Sequence, residues 1–434
     1  MKDSATMSPS LPATQRSTSA GTTPGPRSTQ VSAAAPVAPT SSVSRPPRAL
    51  RKVFALDDFE AAARRHLPRP VFGYMCSYAE TGAAFDANRD AYADYGFMPQ
   101  VMVDVSKRST QTELFGETYA APFGFAPVGL TALSTYRGDL VLARAALESR
   151  LPMIMSGSSL IPLEEVAALH PGAWFQAYLP GDRGAIELLI DRVARTAFKT
   201  LVITVDTPVP PNSENTARMG FSAPLRPSVG LAWQGMTHPR WLLGTFLRTL
   251  ARHGMPHFEN NYATRGAPIL SPSVLRDFSE RGHLAWDDLR TIRKQWRGRL
   301  IVKGILRADD ARMARDCGAD GIIVSNHGGR QLDGAIAPLR ALPAVVAACP
   351  DIPVMIDSGV RRGTDVLKAL ALGAKLAFVG RPFGYAAAVG GVPGVQHGVK
   401  LLTAEVSRNM AMLGVNSVTE LQADRHLVRM PGRG

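Results

Sequence analysis

The sequence has few cysteines and no long hydrophobic run. Its three cysteines, Cys76, Cys317 and Cys349, are scattered and lack the spacing of metal ligands, so we expect neither a disulfide framework nor a metal site. No uncharged apolar stretch reaches the roughly 20 residues of a membrane-spanning helix. The N-terminus also lacks the apolar core of a secretory signal. We therefore expect a cytoplasmic protein in a reducing compartment.

Clusters of a single charge are also missing. The formal net charge of +13 raises nucleic acid or an anionic membrane as a partner. The basic residues, however, are interspersed with Asp and Glu, and the sequence lacks the basic and aromatic repeats of a nucleic-acid surface. We expect no nucleic-acid partner, which leaves phosphate, carboxylate or lipid head groups as counter-ions.

Large apolar residues are scarce in residues 1–50, which consist mainly of Ser, Thr, Pro and Ala. Such a segment is expected to be a disordered tail, followed by one folded domain at residues 51–434. The tail is basic and poor in acid, which permits a targeting peptide. Its many prolines argue against an amphipathic helix and favour a dispensable tail or a start codon placed too early.

The folded region alternates apolar, strand-like runs with amphipathic helical stretches. Serial strand–helix units predict an α/β fold, and eight of them favour a closed (β/α)8 TIM barrel over an open doubly wound sheet. Polar residues cluster where the runs end, as expected where parallel strands deliver an active site at their carboxyl ends. The predicted strands are 122–129, 152–159, 174–179, 200–207, 299–306, 321–328, 353–359 and 376–382, and helices are predicted over 138–150, 183–195, 286–296, 308–317 and 363–372.

One connection is unusually long, since about eighty residues separate Asp206 from Trp286. We treat residues 208–285 as an insertion after the fourth strand. Its part at 225–261 mixes Trp, Leu and Phe with Arg and His, which suits an interfacial helix on an anionic membrane. A lid over the barrel mouth or a subunit contact explains the same composition.

The run GIIVSNHGGRQLD at 321–333 combines a buried strand with candidate catalytic groups. His327 supplies a base near neutral pH, and Asp206, after the fourth strand, is a candidate to orient its imidazole. Arg330 can hold a substrate carboxylate through a bidentate pair. Tyr74 and Tyr178 can donate hydrogen bonds to a substrate oxygen. An ordinary polar turn with a satisfied histidine is the alternative.

The last two strands suggest a site for a phosphate-bearing cofactor. Glycines and two arginines follow them, near the standard phosphate position of such barrels. Lys303 on the fifth strand can stabilise the reduced, anionic form of an electron-accepting ring. Ser156, Gln176 and Thr204 can bond the polar edge of that ring, although each has a core or capping role as an alternative. The phosphate candidates are Asp357, Ser358, Gly359, Val360, Arg361, Gly380 and Arg381.

Six motifs together resemble the family of FMN-dependent α-hydroxy acid oxidases and dehydrogenases, which includes glycolate oxidase, L-lactate dehydrogenase and mandelate dehydrogenase. They are FQAY, TVDTP, VKGI, SNHGGRQLD, IDSGVRRGTDVLKALALGA and VGRP, in the family's order. The resemblance runs from about Val53 to Leu421. It implies an FMN barrel in which His327 takes a proton while two electrons pass to the flavin, with a homotetramer as the assembly.

The resemblance also implies roles for single residues. Asp206 corresponds to the partner of the histidine, Tyr74 and Tyr178 to substrate tyrosines, and Arg330 to a substrate arginine. The implied FMN contacts are Pro127, Val128, Gly129, Ser156, Gln176, Thr204, Lys303, Ser325, Asp357, Ser358, Gly359, Val360, Arg361, Gly380 and Arg381.

The sequence departs from the family pattern after TVDTP. The family has a second carboxylate-binding arginine where this chain has Ser213, and a tryptophan of glycolate oxidase is replaced by Ser158. Loss of one charge-assisted bond costs about 1.5 to 3 kcal/mol of substrate binding. Either Arg218 or Arg226 compensates, or the substrate is larger or has a masked carboxylate.

The resemblance predicts oxidation of an L-2-hydroxy acid, lactate-like or mandelate-like, to the 2-oxo acid. The stretch THPRW at 237–241 is similar to membrane-associated bacterial dehydrogenases, which favours a quinone as electron acceptor over oxygen. A flavin enzyme for a carboxylate-masked hydroxy compound is the alternative. An isomerase is a third hypothesis, because type 2 isopentenyl diphosphate isomerase shares the FMN barrel, and a pure binding protein is a fourth.

Overall fold

The strands are short, apolar and, in the centre of the fold, parallel. The computed structural model of the chain describes residue 47 and residues 50–272 and 281–431, so the disorder predicted for residues 1–50 falls almost entirely outside the described residues. The described strands are β1 (Tyr95–Phe97), β2 (Thr112–Leu114), β3 (Glu117–Tyr119), β4 (Phe123–Phe125), β5 (Ile154–Ser156), β6 (Trp174–Ala177), β7 (Thr200–Thr204), β8 (Arg299–Ile305), β9 (Gly321–Val324), β10 (Val354–Ile356), β11 (Ala377–Val379) and β12 (Leu427–Arg429).

Strands β4 to β11 form a nearly closed barrel. They pair in the order β4-β11-β10-β9-β8-β7-β6-β5, and each neighbouring pair is parallel. A parallel bridge between Phe125 and Met153, with the Phe125 N–H donating to Pro152 O at 2.9 Å, joins the first strand of this order to the segment before the last. The predicted eight-stranded barrel is therefore confirmed. The strands are shorter than the predicted runs because the polar residues after them leave the sheet.

Helices surround the barrel, and the five predicted ones are present within a residue or so of their expected ends. Helix α7 begins where the Asp182 side chain accepts a hydrogen bond from the Ala185 N–H at 2.7 Å, a typical N-cap. The described helices are α1 (Asp58–His66), α2 (Arg69–Met75), α3 (Ala83–Asp90), α4 (Thr131–Ser134), α5 (Gly138–Ser149), α6 (Leu163–Leu169), α7 (Arg183–Ala194), α8 (Glu214–Arg218), α9 (Val229–Met236), α10 (Pro239–Trp241), α11 (Arg248–His253), α12 (Trp286–Gln295), α13 (Ala308–Asp316), α14 (Pro338–Ala348), α15 (Gly363–Ala371), α16 (Arg381–Leu413, interrupted at Gly391) and α17 (Ala423–His426).

Alternation along the strands separates two hydrophobic cores. Successive side chains of a strand face opposite sides, so one set fills the barrel and the other meets the helices. On β8, Ile301 lies in the inner core, while Leu300 and Val302 lie in the outer one. Ile323 on β9 and Val202 on β7 repeat the inner placement. The barrel is thus packed in its middle and leaves its two ends for other roles.

The amino end of the barrel is covered by the β2–β3 hairpin. Leu114 of this hairpin belongs to the inner core, and the Phe115 ring meets the Trp174 ring edge-on with centroids 5.9 Å apart. Phe115 and Gly116 have positive φ angles of 54° and 77°, as the tight turn requires. Because the hairpin fills the amino end, a ligand has room at the carboxyl end of the barrel.

The insertion after β7 packs partly against the barrel. It contains α8 to α11 and a π-helical turn, Leu242–Leu247. Trp241 is buried, and its indole N–H donates to Leu133 O at 2.8 Å. Trp233 on α9 is 60% exposed and Leu243 is 64% exposed. One face of the insertion is therefore anchored, and another leaves large apolar side chains in solvent.

Candidate active site

A cavity of about 510 Å³ opens at the carboxyl end of the barrel. This volume is in the range of small-ligand and cofactor sites. Its wall is formed by residues after several barrel strands together with Pro210, Ser213 and Phe221 of the insertion. The insertion therefore helps to shape the site, as the lid hypothesis requires.

His327, Asp206 and Tyr178 form a hydrogen-bonded chain beside this cavity. The Nδ1 atom of His327 lies 2.9 Å from Asp206 Oδ1, and its Nε2 atom lies 3.0 Å from the Tyr178 hydroxyl. His327 and Tyr178 line the cavity, and Asp206 stands behind the imidazole. The structure thus places these three candidate residues side by side, after β6, β7 and β9.

Local backbone geometry places the imidazole. His327 has a φ angle of 59°, in the left-handed region, and its N–H donates to Ser325 Oγ at 3.0 Å. A non-glycine residue with positive φ stores strain and is held by its surroundings. Gly304 on β8 leaves room for the Asp206 side chain, because a Cβ atom at residue 304 would lie 2.7 Å from the Asp206 Cβ. The glycine allows the carboxylate to reach the histidine.

Neighbouring residues keep the Asp206 carboxyl group ionised. Burial raises the pKa of this carboxyl, but attraction to His327, the hydrogen bond from it and the nearby Lys303 outweigh burial and hold the pKa below its usual value. Asp206 is therefore ionised at neutral pH. An ionised carboxylate at Nδ1 fixes the proton on that nitrogen and stabilises a protonated imidazole. The remaining nitrogen, Nε2, is then the one that can accept a proton.

Lys303 joins three strand ends through a buried network. Its ammonium group lies 3.2 Å from Asp357 Oδ2 and donates to Ser325 Oγ at 2.8 Å. Ser358 Oγ donates to Asp357 Oδ1 at 2.9 Å and accepts from the Gly328 N–H at 3.0 Å. A buried ion pair is costly to break, so this network fixes the ends of β8, β9 and β10. Lys303 and Asp357 also line the cavity.

Two buried side-chain atoms at the ends of β6 and β7, Gln176 Nε2 and Thr204 Oγ1, have no hydrogen-bond partner among the residues that the structure describes. The other end of the Gln176 amide is used, because Oε1 accepts from the Gly157 N–H at 3.3 Å and from Ser156 Oγ at 3.4 Å. Buried polar groups are normally satisfied. These orphan atoms at the ends of β6 and β7 fit the polar edge of a bound ring.

Two buried arginines prepare a second part of the cavity for an anion. Burial lowers the pKa of Arg361, and burial with repulsion from Arg330 lowers the pKa of Arg381 to about 9. Arg381 donates to Ser77 O at 2.7 Å and to Gly328 O at 3.0 Å, and its buried Nε atom has no partner within the described part of the chain. An anion such as phosphate would relieve this repulsion and satisfy the remaining donors.

Glycine is required beside this arginine. Gly328 has a φ angle of 67°, and a Cβ atom there would lie 2.6 Å from Arg381 Nη1. Any larger residue would push the guanidinium away. Gly328, the first glycine of the HGGR run, thus has a packing role as well as a backbone role, and it links His327 to the anion site.

The predicted substrate residues Tyr74 and Arg330 lie together on the cavity wall. Arg330 Nη1 donates to Tyr74 O at 3.0 Å, and its guanidinium carbon lies 4.9 Å from the centroid of the Tyr74 ring. The Phe221 ring packs on Tyr74 with centroids 4.9 Å apart. These contacts hold both residues in place while leaving guanidinium donors for a ligand.

The predicted cofactor residues divide into a lining set and a set beneath it. Ser156, Gln176, Thr204 and Ser325 are buried at the strand ends below the lining residues. The lining set is Pro127, Val128, Gly129, Lys303, Asp357, Ser358, Gly359, Val360, Arg361, Gly380 and Arg381.

Sequence reasoning missed Arg281 and Asn88. Arg281 lines the cavity, whereas Arg218 and Arg226, both in the described part of the chain, do not line it. Arg218 instead pairs with Glu214, and its side chain is 72% exposed. Asn88 exchanges two hydrogen bonds with Asn326, of 2.8 and 2.6 Å, and so fixes the loop after β9. Neither residue stands in a motif, and a lone buried arginine has no sequence signature.

Comparison with known proteins agrees with this geometry. A family model described as FMN-dependent dehydrogenase matches residues 63–429. The chain is 41% identical over 389 residues to an L-lactate dehydrogenase of Pseudomonas entomophila, covering 88% of this chain and 99% of that protein. It is 40% identical over 381 residues to an L-lactate dehydrogenase of Xanthomonas campestris pv. campestris, covering 86% of this chain and 96% of that one.

Solved structures show the same architecture. A crystal structure of (S)-mandelate dehydrogenase, described as a monotopic membrane protein, superposes with a TM-score of 0.79 at 36% identity and covers 87% of this chain and 100% of that one. A mandelate oxidase carrying R163L, bound to 2-hydroxy-phenylacetamide, gives a TM-score of 0.72 at 32% identity, covering 88% of this chain and 99% of that chain.

Proposed function

The chain belongs to the family of FMN-dependent dehydrogenases, and we propose that it oxidises an L-2-hydroxy acid to the 2-oxo acid with His327 as the base. It is an oxidoreductase of the lactate- and mandelate-oxidising type, with FMN as its cofactor. The observation that carries the proposal is the Asp206–His327–Tyr178 chain beside a cavity that also contains Arg330.

The cavity residues fit FMN. The orphan atoms of Gln176 and Thr204 would bond the polar edge of its ring, and Arg361 and Arg381 would hold its phosphate. Lys303 would place its charge near the ring. When bound, FMN would supply an acceptor for two electrons and one proton.

The protein side chains would take up a proton and orient the substrate. Oxidation of a hydroxy acid releases two electrons and two protons, and His327 Nε2 takes one of these protons. Asp206 keeps the other ring nitrogen protonated and stabilises the imidazolium that forms. The Tyr178 hydroxyl, 3.0 Å from Nε2, donates to the substrate oxygen near the same point. Arg330 binds the carboxylate and so orients the substrate.

Anaerobic reduction of the flavin tests this function. L-Lactate or L-mandelate added without oxygen should bleach the yellow protein. The His327→Gln variant should retain FMN but lose reduction rate by about 100- to 10,000-fold, since general base catalysis contributes that much. His253→Gln is a matched control, because His253 is exposed and bonds the Tyr136 hydroxyl. If the flavin of the His327→Gln variant is bleached at the original rate, His327 is not the base.

Ser213 favours a second candidate, a hydroxy compound whose carboxylate is esterified or otherwise masked. Ser213 lines the cavity at the position where the family has an arginine. A pocket with less positive charge discriminates less against a neutral group. Comparing flavin reduction by mandelate and by its methyl ester separates the two candidates, since the second predicts no preference for the free acid.

Peripheral contact with an anionic membrane, and electron transfer to a quinone there, is the cellular setting we favour. Exposed apolar side chains of the insertion, including Trp233 and Leu243, support it, with Arg240 and Arg252 exposed nearby. In the described ranges no helix is long and apolar enough to span a bilayer. Contact through part of residues 225–261 needs no such span.

A further inference from the structure

A further buried arginine lines the cavity, in addition to Arg361 and Arg381. Arg281 is 7% exposed, lines the same cavity as His327 and Arg330, and is separated from β7 by most of the insertion. Its guanidinium carbon lies 5.7 Å from the centroid of the Tyr178 ring. A guanidinium therefore accompanies each of the two cavity tyrosines, since Arg330 lies 4.9 Å from the Tyr74 ring centroid.

Position and charge both suit a carboxylate-binding role. The Tyr178 hydroxyl contacts the Nε2 atom of His327, so a cation over the Tyr178 ring is close to the place where the reacting carbon must lie. A guanidinium binds a carboxylate through paired, bidentate hydrogen bonds. Ser213 leaves its own part of the wall without a cation, and Arg218 pairs with Glu214 outside the cavity.

We propose that Arg281 is a specificity-determining residue that binds the substrate carboxylate together with Arg330, in place of the arginine that is missing at Ser213. This assignment rests on the proposed oxidation of a hydroxy acid. In this role Arg281 favours the free acid over the ester or amide. The second carboxylate-binding arginine then comes from the end of the insertion and not from its beginning.

Binding of an acid that cannot react is the direct test. The acid 2-hydroxy-2-methylpropanoate lacks the α-hydrogen, so it can bind without being oxidised, and its amide is the neutral match. Titration of the FMN-loaded protein, followed by flavin absorbance or calorimetry, gives Kd for both. Arg281→Met should raise Kd for the acid about 10- to 100-fold and leave Kd for the amide within about twofold.

Three further variants sharpen the test. Arg281→Lys keeps the charge and should recover most of the acid affinity, and Ser213→Arg added to Arg281→Met should recover part of it. Arg218→Met is the matched control and should change neither Kd, because that side chain is exposed and paired with Glu214. If Arg281→Met does not hold FMN, Arg281→Gln against Arg281→Lys gives the same comparison of charge.

The outcomes separate this proposal from the proposed function. Equal loss of acid and amide affinity in Arg281→Met, or no loss of either, overturns the carboxylate role and assigns Arg281 to the wall it shares with the neighbouring cavity beside Leu284 and Trp286. Bleaching of the wild-type flavin by free hydroxy acids tests the oxidation itself. A wild-type protein that binds the amide as tightly as the acid also overturns the role of Arg281.

Discussion

In the proposed mechanism Asp206 acts through His327, which makes it a positioning residue. Its Oδ1 atom lies 2.9 Å from His327 Nδ1, while its buried Oδ2 atom has no hydrogen-bond partner among the described residues. Attraction to His327 and Lys303 outweighs burial and holds its pKa below the usual carboxyl value, so the group is ionised at neutral pH. The negative charge, as well as the geometry, should therefore contribute to proton transfer.

Asp206→Asn keeps the shape and removes the charge. We expect the rate of anaerobic flavin reduction to fall by at least about 100-fold, because the imidazolium loses its counter-charge. Flavin content and Kd for 2-hydroxy-2-methylpropanoate should change little. The acidic limb of the pH profile of reduction should shift toward lower pH, since a neutral amide no longer stabilises the protonated histidine and the neutral base then forms at lower pH.

Asp206→Glu serves as the conservative variant in that experiment and should recover part of the rate. A merely structural role would lower flavin content and ligand affinity in Asp206→Asn without moving the pH profile, and that result would contradict the electrostatic role.

Residues carried by strand-end motifs could be predicted from the sequence, and isolated residues could not. His327 and Arg330 follow a buried strand directly, so the barrel model alone places them at the mouth. Arg281 reaches the same cavity from a long insertion whose path is set by tertiary packing. The predicted compensation by Arg218 or Arg226 relied on closeness in sequence to Ser213, and Arg218 instead pairs with Glu214 on the surface of its own helix.

At the level of elements, the insertion shows that amino-acid composition does not determine which side chains are buried and which face solvent. The Trp, Leu and Arg content of residues 225–261 suits an interfacial segment, and equally a lid or a subunit contact. Trp241 is in fact buried with its N–H bonded to Leu133 O, and Phe246 stacks on it with centroids 5.6 Å apart. The π-helical turn at Leu242–Leu247 alters the helical period, so a 3.6-residue pattern cannot assign the exposed face.

The exposed face of the insertion yields a membrane prediction. Replacing Trp233, Met236 and Leu243 together by Gln should lower binding to anionic phosphatidylglycerol vesicles by at least about tenfold, since each buried apolar side chain contributes about 1.5 to 3 kcal/mol. Co-sedimentation with vesicles measures this. Anaerobic flavin reduction in solution should be unchanged, because none of the three side chains lines the cavity within the described residues.

Leu188→Gln is the control for that experiment. Leu188 lies on α7, outside the insertion, and is 60% exposed, as Trp233 is. Equal loss of vesicle binding in this control and in the triple variant would mean that general surface hydrophobicity, rather than the insertion, governs the contact.

At the level of the whole molecule, the barrel was predictable because its signal is distributed. Eight apolar runs in series, each followed by polar residues, fix the architecture even where single boundaries are wrong. The hairpin that closes the amino end and the Asn88–Asn326 pair depend on long-range packing, which local patterns do not encode.

The proposed binding of the FMN phosphate by Arg361 and Arg381 predicts that the cofactor stabilises the folded protein. A ligand that binds only the folded state at 100 times its Kd adds about 2.7 kcal/mol to the free energy of unfolding. FMN should therefore raise the thermal midpoint of the stripped protein by several degrees, and riboflavin, which lacks the phosphate, should raise it less. In Arg381→Met the advantage of FMN over riboflavin should shrink, because a charged donor is gone. Differential scanning fluorimetry measures both shifts, and an equal effect of FMN and riboflavin on the wild-type protein would place the phosphate away from these arginines.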